Sequence, residues 1–172
     1  KMLDEVPLDI VSVCPRWTDQ HRDMVVAAAE RGVHIYMEKP MCRSLQEADD
    51  MVEACEKNDI KLAIAFQTRY SPRLAIVRRL IDEVPISRIK EFRGRGKEDR
   101  RGAGEDHRVI GSHDMNLMHH FGGEPTSCVA YLRQDGTDVV AKHIAEGNEG
   151  LGPLAGDHVQ AMFLFEEQVV GF

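Results

Sequence analysis

Three short apolar segments, each followed by a helical pattern, constrain the fold of this chain more than any other feature. Segments rich in apolar and β-branched residues predict strands at residues 8–13, 34–37 and 61–66. Apolar residues at helical spacing predict helices at residues 19–31, 45–57 and 72–81. Strands that alternate with helices through short connections form a parallel sheet with right-handed crossovers. We therefore expect the first half of the chain to have an α/β fold with a parallel sheet.

Residues typical of helix ends support these boundaries. Thr18 can cap the first helix, and Gly32 is well placed to end it. Ser44 and Glu47 form the pattern of a capping box at the second helix, and the pair Ser71-Pro72 is typical of a helix start.

The sequence pattern changes near Val84-Pro85, where the alternation of strands and helices ends. Beyond it we predict a strand at 86–91, a charged, glycine-bearing loop at 93–108, a helix at 110–121, a strand at 127–132 and a hairpin of strands 158–165 and 168–172. This order is typical of an α+β domain with antiparallel strands. The sequence therefore predicts two domains, residues 1–84 and residues 85–172.

The charge balance and the spacing of possible ligands argue against several kinds of site. The chain has 22 Lys and Arg residues against 29 Asp and Glu, and this net charge of −7 disfavours binding to nucleic acid or an anionic membrane. No apolar run approaches the roughly 20 residues that span a bilayer. We predict no metal site, because the four cysteines are widely spaced and form no Cys-x-x-Cys pair. Adjacent histidines such as His119-His120 do not change this, because neighbouring residues on a helix point in different directions. We expect a reducing, cytoplasmic location, with an upstream export signal left open because the sequence begins Lys1-Met2.

Three motifs follow the three predicted parallel strands, namely Cys14–His21, Glu38–Pro40 and Gln67–Tyr70. Because the carboxyl ends of parallel strands lie at one edge of a sheet, we expect these motifs to be neighbours. Trp17 offers a flat aromatic ring, and Lys39 and Arg69 offer positive charges, a set suited to a planar cofactor that carries phosphate. A lysine at a strand end can contact phosphate, donate a proton or be simply solvated, and the residues leave all three open.

His113 and Asn116 lie one turn apart on the predicted helix of the second half. Both side chains can therefore face one cleft, where a histidine can act as an acid or a base. A single histidine on a helix is more often structural, so the role of His113 depends on a partner such as Lys39.

Together these motifs resemble the Gfo/Idh/MocA family of NAD(P)-dependent oxidoreductases. The resemblance is carried by Cys-Pro-x-Trp-x-x-x-His, Glu-Lys-Pro, Arg-Tyr-Ser-Pro, and Gly-Ser-His-x-x-Asn-Leu-Met with Gly-Glu-Pro. It implies that residues 1–84 are the second half of a Rossmann domain and residues 85–172 part of a substrate-binding and oligomerisation domain with an open antiparallel sheet. It also implies NAD or NADP as the cofactor, with hydride transfer at a secondary alcohol carbon of a sugar, inositol or related polyol.

The same resemblance implies roles for individual residues. Lys39 would hold the substrate hydroxyl and help its proton leave, and His113 would act as acid or base. Asp106 and Asn116 would join them at the substrate. The residues implied to contact the cofactor are Pro15, Trp17, His21, Glu38, Lys39 and Arg69. Members of the family pack the sheet of the second domain against another subunit, so a homo-oligomer is implied.

Two departures from the family pattern qualify these expectations. Val109 stands four residues before His113, where the family commonly has an aspartate, and Glu105 or Asp106 could take its place. The sequence has no Gly-x-Gly-x-x-Gly turn of the Rossmann type. We therefore expect a fragment that lacks the N-terminal Gly-rich half and the C-terminal end of the intact enzyme and is inactive alone. An NAD-dependent glycoside hydrolase of the same fold, and a non-catalytic sugar-binding or scaffold protein, stay open as alternatives.

Overall fold

A computed structural model of the chain describes residues 1–83, 88–96 and 102–172. The chain divides into two compact units. The first unit comprises Lys1–Ala65 and Glu146–Pro153, and the second comprises Phe66–Ala145 and Leu154–Phe172. The domain boundary that we predict after residue 84 falls outside the described residues and stays a prediction.

The helices and strands of the described residues have the following bounds. The α-helices are α1 (Met2–Glu5), α2 (His21–Ala29), α3 (Leu45–Lys57), α4 (Pro72–Glu83), α5 (Gly102–Val109) and α6 (Gly111–Gly122). The strands are β1 (Ile10–Val13), β2 (His34–Met37), β3 (Leu62–Ile64), β4 (Glu91–Phe92), β5 (Pro125–Gln134), β6 (Thr137–Asp138), β7 (Ala145–Glu146), β8 (Pro153–Leu154), β9 (His158–Phe165) and β10 (Val170–Gly171). Short 3₁₀ helices lie at Thr18–Gln20, Gln67–Tyr70, Ala141–His143, Asn148–Gly150 and Glu166–Gln168. Within these described ranges, no helix is both long and apolar enough to cross a bilayer.

The first unit contains a parallel sheet with the strand order β1-β2-β3. Val13 pairs with Met37, and Met37 pairs with Ile64, so the three strands end at the same level. The predicted parallel sheet is confirmed. Both flanking strands are shorter than predicted: β1 begins at Ile10 and ends at Val13 as predicted, and β3 covers only Leu62–Ile64.

Helices α2 and α3 each bury one apolar face in the core of the first unit. The buried core residues on these helices are Val25, Ala28, Ala29, Met51 and Cys55, and they cluster with Ile35 and Met37 of β2. Burial of each large apolar side chain contributes about 1.5–3 kcal/mol to folding. The helical spacing of these residues in the sequence thus identifies much of the core.

The two ends of helix α3 are capped by side chains. The hydroxyl of Ser44 accepts a hydrogen bond from the Glu47 N–H at 3.2 Å, as the capping-box pattern predicts. The Glu47 carboxylate, however, accepts from the backbone N–H of Arg43 at 2.9 Å, so the reciprocal bond goes to the preceding residue. At the other end, the Asn58 amide donates to the carbonyl oxygen of Ala54 at 2.8 Å.

Helix α2 begins two residues later than predicted, and Thr18 does not cap it. The chain first makes a 3₁₀ turn over Thr18–Gln20, so Gln20 occupies the N-cap position and no side chain caps the helix. Thr18 is buried at 2% exposure. The predicted cap is wrong because the sequence pattern did not reveal the extra turn before the helix.

The second unit contains a five-stranded sheet with the order β4-β10-β9-β5-β6. Strands β5 and β9 pair antiparallel with one register shift, between Pro125 and Ser127, and β9 and β10 form the predicted hairpin. Strand β4 pairs with β10 in parallel, so the sheet is mixed and not purely antiparallel as predicted. The turn between β9 and β10 is tight, with positive φ angles at Glu167 (56°) and Gln168 (63°). The predicted α+β character of the second half is confirmed.

Residues 102–109 form helix α5, although we predict a charged loop over residues 93–108. The order of the charges accounts for the difference. Glu105 lies in the first turn, and His107 and Arg108 lie in the last turn. Negative charge near the N-terminus of a helix and positive charge near its C-terminus both stabilise the helix, because each interacts favourably with the helix dipole. The prediction of a loop over residues 93–108 rested on the number of charges and not on their order.

Helix α6 is anchored through the buried side chain of Met118, which is 4% exposed. Met118 packs with Phe165 and Val169 of the hairpin, and Phe92 packs against the same cluster. This small core fixes α6 to the five-stranded sheet.

Candidate functional site

The ends of the parallel strands bring two of the predicted motifs to one edge of the first unit. The Glu38 N–H donates to the carbonyl oxygen of Val13 at 2.9 Å, and the Ala65 N–H donates to that of Met37 at 2.8 Å. These bonds continue the sheet by one residue beyond its last pairs. The loop after β1 and the corner after β2 therefore begin at the same edge.

The Glu38-Lys39-Pro40 corner is a compact turn at this edge. Its three residues are half-buried, and the Lys39–Pro40 peptide bond is cis. One oxygen of the Glu38 carboxylate accepts a hydrogen bond from the Lys39 backbone N–H at 2.9 Å. Glu38 therefore stabilises the backbone that presents the Lys39 side chain.

His21 connects this corner to the loop after β1. Its ring is 1% exposed, with Nδ1 2.9 Å from the Pro40 carbonyl oxygen and 3.3 Å from that of Met41. The other nitrogen, Nε2, is 3.4 Å from the Pro15 carbonyl oxygen. Since carbonyl oxygens only accept, the shorter contact assigns a proton to Nδ1. His21 thus contacts the backbone of the loop that carries Pro15 and Trp17 and the backbone around the corner that carries Lys39.

Trp17 provides an accessible aromatic surface on the loop after β1. Its side chain is 47% exposed, and the Arg16 guanidinium carbon lies 5.7 Å from the centre of a Trp17 ring. A half-exposed indole beside a positive charge suits a planar group that carries negative charge. These two residues fit the NAD or NADP that the sequence motifs predict.

In the second unit, His113 projects from α6 beside the segment that carries Arg69. The His113 ring meets the Phe66 ring edge-to-face, with centroids 5.6 Å apart and planes at 89°. Arg69 lies on the neighbouring 3₁₀ helix, close enough to act on His120. Burial, with the positive charges of Arg69 and Arg78, lowers the pKa of His120.

Asn116 offers a buried acceptor one turn along from His113. Its Oδ1 atom is buried and makes no hydrogen bond to any other described residue. A buried carbonyl oxygen of this kind is a suitable partner for a hydroxyl group.

Asp106, predicted at the substrate, lines a cleft of about 820 Å³ within the second unit. The residues that contribute charged or polar side chains to it are Arg95, Asp106, His107, Asp114, Asp157, His158 and Gln160. His113 and Asn116 are not among its described lining residues. The cleft therefore groups Asp106 with Asp114 rather than with the histidine that we predict to be catalytic.

Two glycines allow these carboxylates to approach the backbone of the segment after β4. A Cβ atom placed on Gly94 would lie 3.2 Å from the Asp114 carboxylate, and one on Gly96 would overlap the Asp106 carboxylate. Burial, followed by the negative charge of Asp106, raises the pKa of Asp114, although the positive charge of His113 opposes this. Partial desolvation lowers the pKa of His107.

Sequence reasoning missed Asp114, although a signal for it was present. Gly111, Asp114 and Met118 recur at intervals of three and four residues, which places them on one face of α6. The predicted site residues His113 and Asn116 lie on a different face of the same helix. Among the described residues, no three histidine, cysteine, aspartate or glutamate side chains are grouped as metal ligands.

The first part of the chain is similar to a known protein family. Residues 1–66 match the family model described as an oxidoreductase family with an NAD-binding Rossmann fold, GFO_IDH_MocA. This match confirms the resemblance noted in the sequence, and it supports the predicted use of NAD or NADP, because the family is described as NAD-binding.

Two curated relatives share this region. Levoglucosan dehydrogenase of Pseudarthrobacter phenanthrenivorans is 33% identical over 98 residues, which are 57% of this chain and 25% of that protein. Myo-inositol 2-dehydrogenase of Thermotoga maritima is 23% identical over 156 residues, which are 87% of this chain and 46% of that protein. The chain therefore spans less than half the length of these relatives.

Solved structures support the fold over nearly the whole chain. A solved structure of levoglucosan dehydrogenase in complex with NADH and levoglucosan matches with a TM-score of 0.76 and 24% identity. The match covers 99% of this chain and 48% of that one. At this identity the likeness establishes the fold alone.

Proposed function

Because residues 1–66 match the model of the GFO_IDH_MocA oxidoreductase family, we propose that the chain is part of an enzyme of this family that transfers a hydride between NAD(P) and a polyol carbon. The substrate class would be a sugar, an inositol or a related polyol, in keeping with the relatives that are levoglucosan and myo-inositol dehydrogenases. The single observation that carries the proposal is the Glu38-Lys39-Pro40 corner at the carboxyl edge of a parallel sheet, where α/β proteins bind ligands.

The residues of the first unit would hold the cofactor. Trp17 supplies an aromatic surface, and Pro15, Glu38 and Lys39 line the same sheet edge, with His21 behind them. From the second unit, Arg69 would add a positive charge. The nicotinamide ring, when bound, supplies the hydride acceptor or donor, and the protein supplies position and charge.

The proton chemistry would belong to Lys39 and His113. As the hydroxyl carbon loses its hydride, the hydroxyl oxygen must lose its proton, and a nearby ammonium group stabilises the negative charge that develops. Lys39 would provide that charge, and His113 would take up or return the proton at a ring nitrogen. Asn116 would accept a hydrogen bond from a substrate hydroxyl, and Asp106 would act at the substrate through the neighbouring cleft.

Assembly and location form the remaining part of the proposal. Four exposed apolar side chains lie on β5 and β9, namely Val129, Tyr131, Met162 and Leu164. Val129 pairs with Met162 across the two strands, so these apolar side chains share one face of the sheet. We propose that this face packs against a second subunit in a homo-oligomer. A cytoplasmic enzyme would suit the acidic charge balance and widely spaced cysteines.

The test uses the full-length enzyme and compares two lysine substitutions. Lys39 follows β2 at the carboxyl edge of the sheet, whereas Lys61 is exposed and precedes β3 at the opposite edge. We expect Lys39→Met to lower turnover with levoglucosan or myo-inositol by about 10²- to 10⁴-fold, the usual contribution of a positioned acid or base. Lys61→Met should leave turnover near that of the parent enzyme.

The products distinguish this proposal from its alternatives. Net formation of NADH from the polyol supports the dehydrogenase. Release of a free alcohol from a glycoside without net NADH would instead identify a hydrolase. Failure of the intact protein to bind NAD or NADP in a calorimetric titration would contradict both and leave a binding or scaffold role.

A further inference from the structure

A short segment from the second half of the sequence belongs to the first unit. Residues Glu146–Pro153, here called the return segment, cluster with Lys1–Ala65. The return segment is closed by a hydrogen bond from the Gly147 N–H to the Gly152 carbonyl oxygen at 2.9 Å. Its Leu151 side chain is 1% exposed. Burial of an apolar side chain fixes the return segment in place.

The return segment packs against the loop that carries Trp17. Gly150 meets Asp19 so closely that a Cβ atom on Gly150 would lie 2.7 Å from Asp19 Oδ1 and 3.2 Å from the Asp19 backbone nitrogen. The Glu149 carboxylate lies 3.7 Å from the Arg16 guanidinium, which in turn lies beside the Trp17 ring. Glu149 and Gly150 thus contact Arg16 and Asp19, which lie on either side of Trp17 in the sequence.

We propose that the return segment is a positioning element that holds the Pro15–Gln20 loop and thereby sets the orientation of Trp17. The close packing of Gly150 on Asp19 and the burial of Leu151 carry most of this effect. The Arg16–Glu149 ion pair contributes less, because its side chains are 74% and 34% exposed and water screens the charges. A loop held in this way presents the aromatic surface without an ordering cost when a ligand binds.

The consequence for cofactor binding rests on the proposed function, whereas the effect on Trp17 does not. If Trp17 contacts the cofactor, a loosened loop must be ordered again on binding, which weakens affinity without removing any contact residue. The return segment would then be a determinant of cofactor affinity that the sequence motifs around Lys39 do not include.

Trp17 is the single tryptophan of the chain, so its fluorescence reports on this loop directly. The decisive comparison is Gly150→Ala against Gly152→Ala. Both glycines have positive φ angles, +66° and +78°, so both substitutions strain the backbone. Only at position 150 would the added methyl group also strike Asp19, because nothing lies within 4 Å at Gly152.

We expect Gly150→Ala to red-shift the Trp17 emission and to steepen its quenching by acrylamide, relative to Gly152→Ala. Glu149→Gln keeps the shape of the side chain and should steepen quenching less. Far-UV circular dichroism verifies that each variant is folded. If Gly150→Ala does not fold, Leu151→Ala decides the matter, because the burial of Leu151 carries the same effect. Equal quenching in Gly150→Ala and Gly152→Ala, or in Leu151→Ala and the parent where Gly150→Ala fails to fold, would overturn the inference.

A titration of the intact protein with NADH separates this inference from the proposed function. If the parent binds NADH, we expect the Kd of Gly150→Ala to be about tenfold higher than that of Gly152→Ala, because the loosened loop must be ordered on binding. Unchanged affinity would overturn the link between the return segment and the cofactor. Absence of NADH binding to the parent would count against the proposed function alone, since the quenching comparison still tests the positioning of Trp17.

Discussion

The Nδ1 atom of His21 lies 2.9 Å from the carbonyl oxygen of Pro40, and this contact joins helix α2 to the corner that carries Lys39. The opposite ring nitrogen faces the carbonyl oxygen of Pro15, on the loop that leads to Trp17. A single buried imidazole therefore links two of the three predicted motifs. The sequence implied a cofactor contact for His21, and the structure adds contacts to the backbone on both sides of its ring.

Removing the His21 ring should loosen both loops. His21→Leu leaves buried carbonyl oxygens without a donor, so we expect the free energy of unfolding to fall by about 2 kcal/mol. His21→Asn keeps an N–H donor near the position of Nδ1 and should lose only about half as much. Urea unfolding followed by circular dichroism measures both values. Equal losses in the two variants would mean that packing, rather than hydrogen bonding, accounts for the effect.

The carboxyl group of Asp114 should make stability depend on pH. Burial raises the pKa of Asp114 in the folded state above its ordinary value of 3.8. The folded state therefore holds the proton more tightly than the unfolded state does. Its favourable contribution is complete below the unfolded pKa and is lost as the pH rises through the folded pKa. We expect Asp114→Asn, which stays neutral, to gain stability over the parent as the pH rises toward neutrality.

Unfolding curves at several pH values check this expectation, with Asp82→Asn as the matched control. Asp82 is an exposed aspartate on α4 in the same unit. A stability difference between Asp114→Asn and the parent that does not grow with pH would contradict the assignment, as would the same trend in Asp82→Asn.

The contact between Gly96 and Asp106 should appear as an energetic coupling. An alanine methyl group at position 96 would overlap the Asp106 carboxylate, so we expect Gly96→Ala to cost about 1–3 kcal/mol of stability. In the Asp106→Ala background the same substitution meets no carboxylate and should cost much less. A double-mutant cycle measured by urea unfolding gives the coupling. Additive losses would show that the two residues do not constrain each other.

The sequence by itself determined the order of elements and the edge at which chemistry is expected. Period-2 and period-3.6 patterns are local properties, so three strands, their helices and the antiparallel hairpin could be read from them. The placement of Lys39 at the carboxyl end of β2 follows from the same patterns, because topology alone brings such ends to one edge.

Tertiary structure decided the features that depend on residues distant in sequence. The helix around Asp106 is not such a feature, because the order of its charges is local and could have been read from the sequence. Asp114 joined Asp106 in one cleft because both pack on glycines that precede α5. The return segment joined the first unit only because Gly150 fits against Asp19 and Leu151 finds a buried position. Close packing between distant residues leaves no periodic signal in a sequence, so the orientation of Trp17 is a property of the folded chain alone.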